Sequence, residues 1–176
     1  LNSLSTNYNR RNKNVHLFEL ANVYIPKELP LKELPDERMQ FVLGFYGDED
    51  FFHMKGVVEE FLAEIGIKQK LHYNPDCKEE FLHPGRKADI VLDDVRFGYL
   101  GEVHPKVCGN YKIGERAYIA VLDMPAVISY VNFDIKYTGI AKYPAISRDI
   151  SLVVPRSILV GEIEDVISQN GGSILE

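Results

Sequence analysis

At 176 residues the chain is long enough for one domain and part of a second, and 45% apolar residues supply a sizeable core and exclude a disordered chain. A formal charge of −6 excludes a surface that grips nucleic acid all over. No apolar run approaches the ~18–20 residues of a membrane span, no signal-peptide pattern opens the chain, and two isolated cysteines, Cys77 and Cys108, point to reduced thiols in the cytoplasm.

The chain opens without Met inside a helical pattern, with Leu1, Leu4 and Tyr8 on one face, so it reads as a piece of a longer protein. Residues 15–25 are β-rich and apolar on both parities, which predicts a strand buried on both faces. A Pro-containing connection over 27–37 leads to a second strand over 38–47. Val57, Val58, Phe61, Leu62 and Ile65 fall at helical spacing, predicting an amphipathic helix from about His53 to Ile65 that Gly66 ends. A short strand over 69–74 and a polar loop over 75–80 follow.

The next segment reads as a hairpin whose register can be derived. With Asp93-Asp94 as a two-residue turn, Leu92 faces Val95, Ile90 faces Phe97 and Ala88 faces Tyr99, which gathers six apolar side chains on one face. Lys87, Asp89, Arg96 and Glu102 fall on the other, with Val91 and Leu100 among them. Continued outward, the same register sets His83 opposite His104. Residues 106–114 read as a helical turn and loop, 116–124 as a strand, and Pro125 to Val131 as a short helix.

Beyond residue 135 the character changes, and a domain boundary is expected there. Residues 136–156 carry a net +3 and residues 157–176 a net −4. Within them, 136–146 reads as a linker, and 148–154 alternates like a strand. Val160, Ile163, Val166 and Ile167 then give an amphipathic helix ending at Asn170-Gly171-Gly172.

Metal binding would draw on His16, His53, His72, His83, His104 and the two cysteines, but none shows ligand spacing. There is no GxSxG elbow and no GxGxxG or GxxxxGK[ST] phosphate cradle. The two His-Pro dipeptides, within His83-Pro84-Gly85-Arg86 and Gly101-Glu102-Val103-His104-Pro105, have an architectural reading. Proline holds its predecessor extended, Gly85 permits a change of direction, and Pro105 suits the first turn of a helix. A subunit contact is the functional alternative for this motif. Lys142 and Arg148, near Tyr137 and Tyr143, are candidates to face RNA.

Four ordered stretches, LFELANVYIP, FFHMKGVVEEFL, HPGRKADI with FGYLGEVHP, and KYPAISRDISLVV with VGEIEDVI, together resemble the C-terminal part of the β subunit of bacterial phenylalanyl-tRNA synthetase. The resemblance implies an α+β fold. Residues 1–135 would form a class II synthetase-like antiparallel sheet flanked by helices, with the catalytic fold but no catalytic residues. Residues 136–176 would open a ferredoxin-like anticodon-binding domain and stop after its first β-α unit. It also implies an α-subunit partner in an α₂β₂ assembly, tRNA as a partner of the parent enzyme, and ATP and Mg used there, with no cofactor in this piece.

Three departures from the family pattern stand out: Asp94 replaces the turn glycine, the GFYGDED loop is short, and the last domain is cut at Glu176. Arg116 in GERAYIAVLD is similar to the Arg of the third class II motif, but it precedes a β-rich run rather than a helix and is not counted as an ATP site. The alternatives are a stand-alone class II-like ligase, for which Arg86, Arg116 and Glu102 are the only tempting set, and a small RNA-binding module.

Overall fold

The computed structural model describes residues 1–134, 137, 146–172 and 175. The chain divides into two units, Leu1–Ile135 and Lys136–Glu176.

The first unit is an antiparallel six-stranded sheet with helices on both faces. In chain order its elements are α1 (Asn2–Asn9), β1 (Val15–Ile25), β2 (Asp36–Tyr46), α2 (Phe51–Glu64), β3 (His72–Asn74), β4 (Leu82–Leu92), β5 (Val95–Val103), α3 (Pro105–Asn110), β6 (Ala117–Asp123) and α4 (Met124–Ile128). The strand order is β1-β2-β6-β5-β4-β3. On one face Met54, Val58 and Leu62 of α2 and Val127 of α4 pack on Phe45, Ile90, Phe97, Leu100 and Leu122. On the other, Leu4 of α1 and Cys108 of α3 cover Tyr46, Val103, Ala117, Ile119 and Val121. β6 lies between strands and between both helix layers, so its first six residues are all buried, as a continuous apolar run requires.

The helix expected over 53–65 forms two residues earlier. Asp50 caps α2 by accepting the His53 N–H at 2.9 Å, and Gly66 follows its end at φ 89°.

The strand over 15–25 forms with the expected bounds but not the expected burial. β1 pairs only with β2 and is the edge of the sheet, and most of its side chains are exposed. Apolar character on both parities shows which side chains can be buried, and only the layers above and below decide which are.

The hairpin register holds at its tip and then slips. Asp93 and Asp94 both take positive φ (47° and 64°), Leu92 pairs with Val95, and Val91 with Arg96. Beyond that a β-bulge intervenes, so Ile90 pairs with Gly98 and Ala88 with Leu100, rather than with Phe97 and Tyr99. Gly98 is the cause. Its φ is 153°, and a Cβ there would lie 1.9 Å from the Val121 carbonyl oxygen, so only glycine lets β5 lie this close to β6. The bulge sends Leu100 to the α2 side and Tyr99 to the other, where its ring packs edge-on to Phe81 and under the Arg96 guanidinium. Glu102 moves with Leu100, leaving the expected polar face for a buried place beside Tyr118, its partner on β6. Asp89 and Arg96 stay together on that polar face, 2.7 Å apart.

Among the described residues of the second unit is one helix, α5 (Val160–Gly171), whose Glu162 carboxylate reaches back to accept the Leu159 N–H at 3.1 Å. No residue of α5 is buried. The strand expected over 148–154 is absent: these residues carry no ladder, and Ile150, Leu152 and Val154 are exposed. A strand exists only by pairing, and the described residues of this unit offer it no neighbour.

Candidate functional site

The His-Pro motifs lie at the open end of the β4–β5 hairpin, and each histidine performs the same task. His83 Nδ1 accepts the Gly85 N–H at 3.1 Å, and His104 Nδ1 accepts the Lys106 N–H at 3.1 Å. In both cases the intervening proline has no N–H to give, so the ring reaches past it to the next donor. His104 is the N-cap of α3 and Pro105 occupies its first position, as the sequence suggested. The first motif differs from its expected role. β4 runs through Pro84 and Gly85 with a register shift between Leu82 and Lys87, and Gly85 is not in the left-handed region. Nor do the two histidines face each other, because the His104 N–H donates to the Phe81 carbonyl at 2.8 Å. The bulge and this second shift displace the register that would have matched them.

Glu102 is the chemical centre of the motif. Only 2% of it is exposed, and it is the one charged residue among the buried polar positions described. Arg86, adjacent on β4, donates from Nη1 to both carboxylate oxygens at 3.0 and 2.9 Å. Arg116, just before β6, brings Nε to 4.0 Å, and the Tyr118 hydroxyl lies 3.5 Å away. Burial pushes the Tyr118 hydroxyl pKa up, and the Glu102 charge adds to it; burial also raises the Cys108 thiol, again with a contribution from Glu102. The fold therefore does assemble Arg86, Arg116 and Glu102, the set singled out in sequence. It assembles them as a neutralised cluster, with the carboxylate held by one guanidinium and approached by a second.

Tyr118 is the member that sequence reasoning missed. Its signal was the strand parity of β6 relative to β5, which requires knowing that these two strands are neighbours.

The groove beside Arg116 and Tyr118, about 590 Å³ in volume, is lined by Lys13, Asn14, Gly47, Asp48, Glu49, Asp50 and Glu115. Four carboxylates against two cations make it a poor host for a polyphosphate. His16 stacks on Phe45 and lies edge-on to His53, whose Nδ1 sits 3.0 Å from Glu49. Among the described residues no group of three or more His, Cys, Asp or Glu is placed to hold a metal ion. Of the two RNA-facing candidates, Arg148 is exposed and donates to the Ser147 carbonyl at 3.0 Å, whereas Lys142 lies outside the described residues.

An uncovered apolar surface lies on β1 and β2. Phe18, Leu20 and Tyr24 alternate along β1 on one face, with Met39 of β2 beside them, and are 76%, 56%, 61% and 39% exposed. The outer edge of β1 has no strand partner within the sheet. An eleven-residue edge strand with an apolar face is a surface built to be covered.

Comparison with known proteins places these features in a family. The family described as phenylalanyl tRNA synthetase beta chain CLM domain matches residues 1–124. The phenylalanine–tRNA ligase beta subunit of Clostridium acetobutylicum is 42% identical over 176 residues, covering 100% of this chain and 22% of its own length. The corresponding subunits of Clostridium tetani and Bacillus subtilis are 39% and 33% identical, again over 100% of this chain and 22% and 23% of their own. The chain thus spans less than a quarter of the length of these relatives. Among solved structures, the pyrrolysyl-tRNA synthetase of Desulfitobacterium hafniense superimposes with a TM-score of 0.54 at 14% identity, over 72% of this chain and 46% of that one, which shows a shared fold. On the family match and on relatives aligned along its whole length, this chain belongs to the phenylalanyl-tRNA synthetase β-chain CLM-domain family.

Proposed function

We propose that this chain is a non-catalytic part of a phenylalanine–tRNA ligase β subunit, supporting an α subunit that uses ATP and Mg to attach phenylalanine to tRNA in the cytoplasm. The observation that carries the subunit role is the bare apolar face of β1 and β2. Its proposed occupant is the α subunit, in an α₂β₂ assembly, because the relatives are named as beta subunits and such a face needs a partner. The His-Pro motif braces the hairpin from within and leaves β1 and β2 to make the contact. Inactivity of this chain is supported by Glu102 being held by Arg86 and by the carboxylate-lined groove next to it. The segment from residue 136 onward is the opening of a ferredoxin-like domain that contacts tRNA, its strand forming once neighbouring strands are supplied. No helix among the described residues is long and apolar enough to cross a membrane.

The test is co-purification with the α subunit of the same organism, together with ATP–pyrophosphate exchange. Phe18→Asp and Leu20→Asp should each weaken association at least about tenfold, as loss of a buried anchor does, while leaving the fold intact. The chain alone should show no phenylalanine-dependent exchange. Undiminished association in the double variant, or measurable exchange by the chain alone, would overturn the proposal.

A further inference from the structure

Two helices of the first unit end in the same uncommon way. After α1, Arg11 N–H bonds to the Tyr8 carbonyl and Asn12 N–H to that of Asn7; after α3, Lys112 N–H bonds to Gly109 and Ile113 N–H to Cys108. Both are Schellman endings, in which the residue after the cap adopts the left-handed conformation and is usually glycine. Here the two positions are cations, Arg11 at φ 63° and Lys112 at φ 57°. A cation near a helix C-terminus is favoured by the dipole, but the cap position serves that purpose without a left-handed backbone, and Arg10 already occupies it in α1.

Packing sets the two turns side by side. Ser5 Oγ donates to the Tyr111 carbonyl at 2.5 Å, and the Tyr8 hydroxyl lies 2.5 Å from where a Cβ on Gly114 would be. Tyr46 ties down the first turn by donating to the Asn12 carbonyl at 2.9 Å, and Asn12 bonds Asn7. Arg10, Arg11, Lys13 and Lys112 are all exposed, and none forms an ion pair among the described residues. Residues 1–18 hold three cations and no carboxylate, within residues 1–135 that carry a net −5. Lys13 shares its groove with four carboxylates, so Arg10, Arg11 and Lys112 are the uncompensated set. Neither turn exposes a large apolar side chain.

We infer that this paired helix-end platform binds the phosphate backbone of RNA without reading its sequence. Exposed, unpaired cations on a hydrogen-bonded backbone, with no apolar centre and no exposed aromatic ring, suit phosphates better than a protein surface, whose contact core would be apolar. The choice of RNA among polyanions rests on the tRNA-ligase role proposed above. The platform belongs to the sheet unit itself.

The experiment measures binding of a fluorescent tRNA transcript to the 176-residue chain by anisotropy between about 50 and 200 mM salt. Arg10→Gln/Arg11→Gln/Lys112→Gln should lower affinity at least about tenfold at the low end and flatten the slope of log affinity against log salt by about 2–3. Arg10→Gln alone, which leaves both left-handed positions untouched, should flatten it by about 1, and Lys112→Arg should bind as the parent does. Absent binding by the parent chain, or an unchanged slope in the triple variant, overturns the inference. Loss of α-subunit association with tRNA binding intact also overturns it, and assigns the platform to an acidic protein surface. The β1 variants test the subunit role separately, so the two failures are distinguishable.

Discussion

Removing either partner of the Arg86–Glu102 pair should have unequal consequences, because the two charges are unequally buried. The Glu102 side chain is 3% exposed and that of Arg86 is 43% exposed. Arg86→Met keeps most of the apolar stem but leaves a buried carboxylate with only Arg116 at 4.0 Å and Tyr118 at 3.5 Å. Breaking a buried pair in this way costs about 3–5 kcal/mol, and the nearby Arg116 sets the expectation at the lower end, ~3 kcal/mol. Glu102→Gln leaves behind a guanidinium already in contact with water and a side chain of the same shape, so the loss should be ~1 kcal/mol. In urea unfolding, with a slope of roughly 1.5 kcal/mol per M, the midpoint should fall by about 2 M for Arg86→Met and about 0.7 M for Glu102→Gln. Equal losses, or a larger loss for Glu102→Gln, would refute the claim that Glu102 is the desolvated partner.

The bulge is testable through Gly98, where alanine meets both a forbidden φ and the Val121 carbonyl at 1.9 Å; Gly98→Ala should destabilise by at least ~3 kcal/mol in the same assay. His104→Ala removes the side-chain acceptor from the start of α3 and should cost about 0.5–2 kcal/mol, whereas His104→Asn should restore most of it. Burial and the Glu79 charge push the Tyr99 hydroxyl up to about 12 from 10.0, and burial with Glu59 raises Tyr73 further. A raised folded pKa gives stability that is intact below pH 10 and lost as pH climbs toward 12, so tyrosinate absorbance should lag in the native protein and rise as it unfolds; coincident titration curves in buffer and in urea would contradict this.

Most secondary elements were legible from local pattern because their information is local. The helical spacing of Val58, Phe61, Leu62 and Ile65, the stop at Gly66 and the Asp93-Asp94 turn each depend on a few neighbouring residues, and all appear in the structure. The family resemblance was readable in the same way, from motifs in a specific order, and the match over residues 1–124 agrees with it. Local pattern failed wherever a distant strand had a vote. Residues 148–154 alternate like a strand and form none, since alternation describes a side-chain arrangement while a ladder needs a second chain segment.

The Glu102 cluster shows the division most clearly. Sequence alone singled out Arg86, Arg116 and Glu102 as a set, marked the hairpin that carries two of them with two His-Pro dipeptides, and suited Pro105 to the first turn of a helix. It also assigned Glu102 to a polar face. Tertiary structure reversed that, because Gly98 lets the Val121 backbone approach, the approach creates a bulge, and a one-residue slip carries every later side chain of β5 to the opposite face. The edge position of β1 and the side-by-side ends of α1 and α3 were likewise beyond local reading, since both follow from which elements become neighbours. Composition determines what a segment is able to bury or pair; only the assembled sheet determines what is left uncovered for a partner.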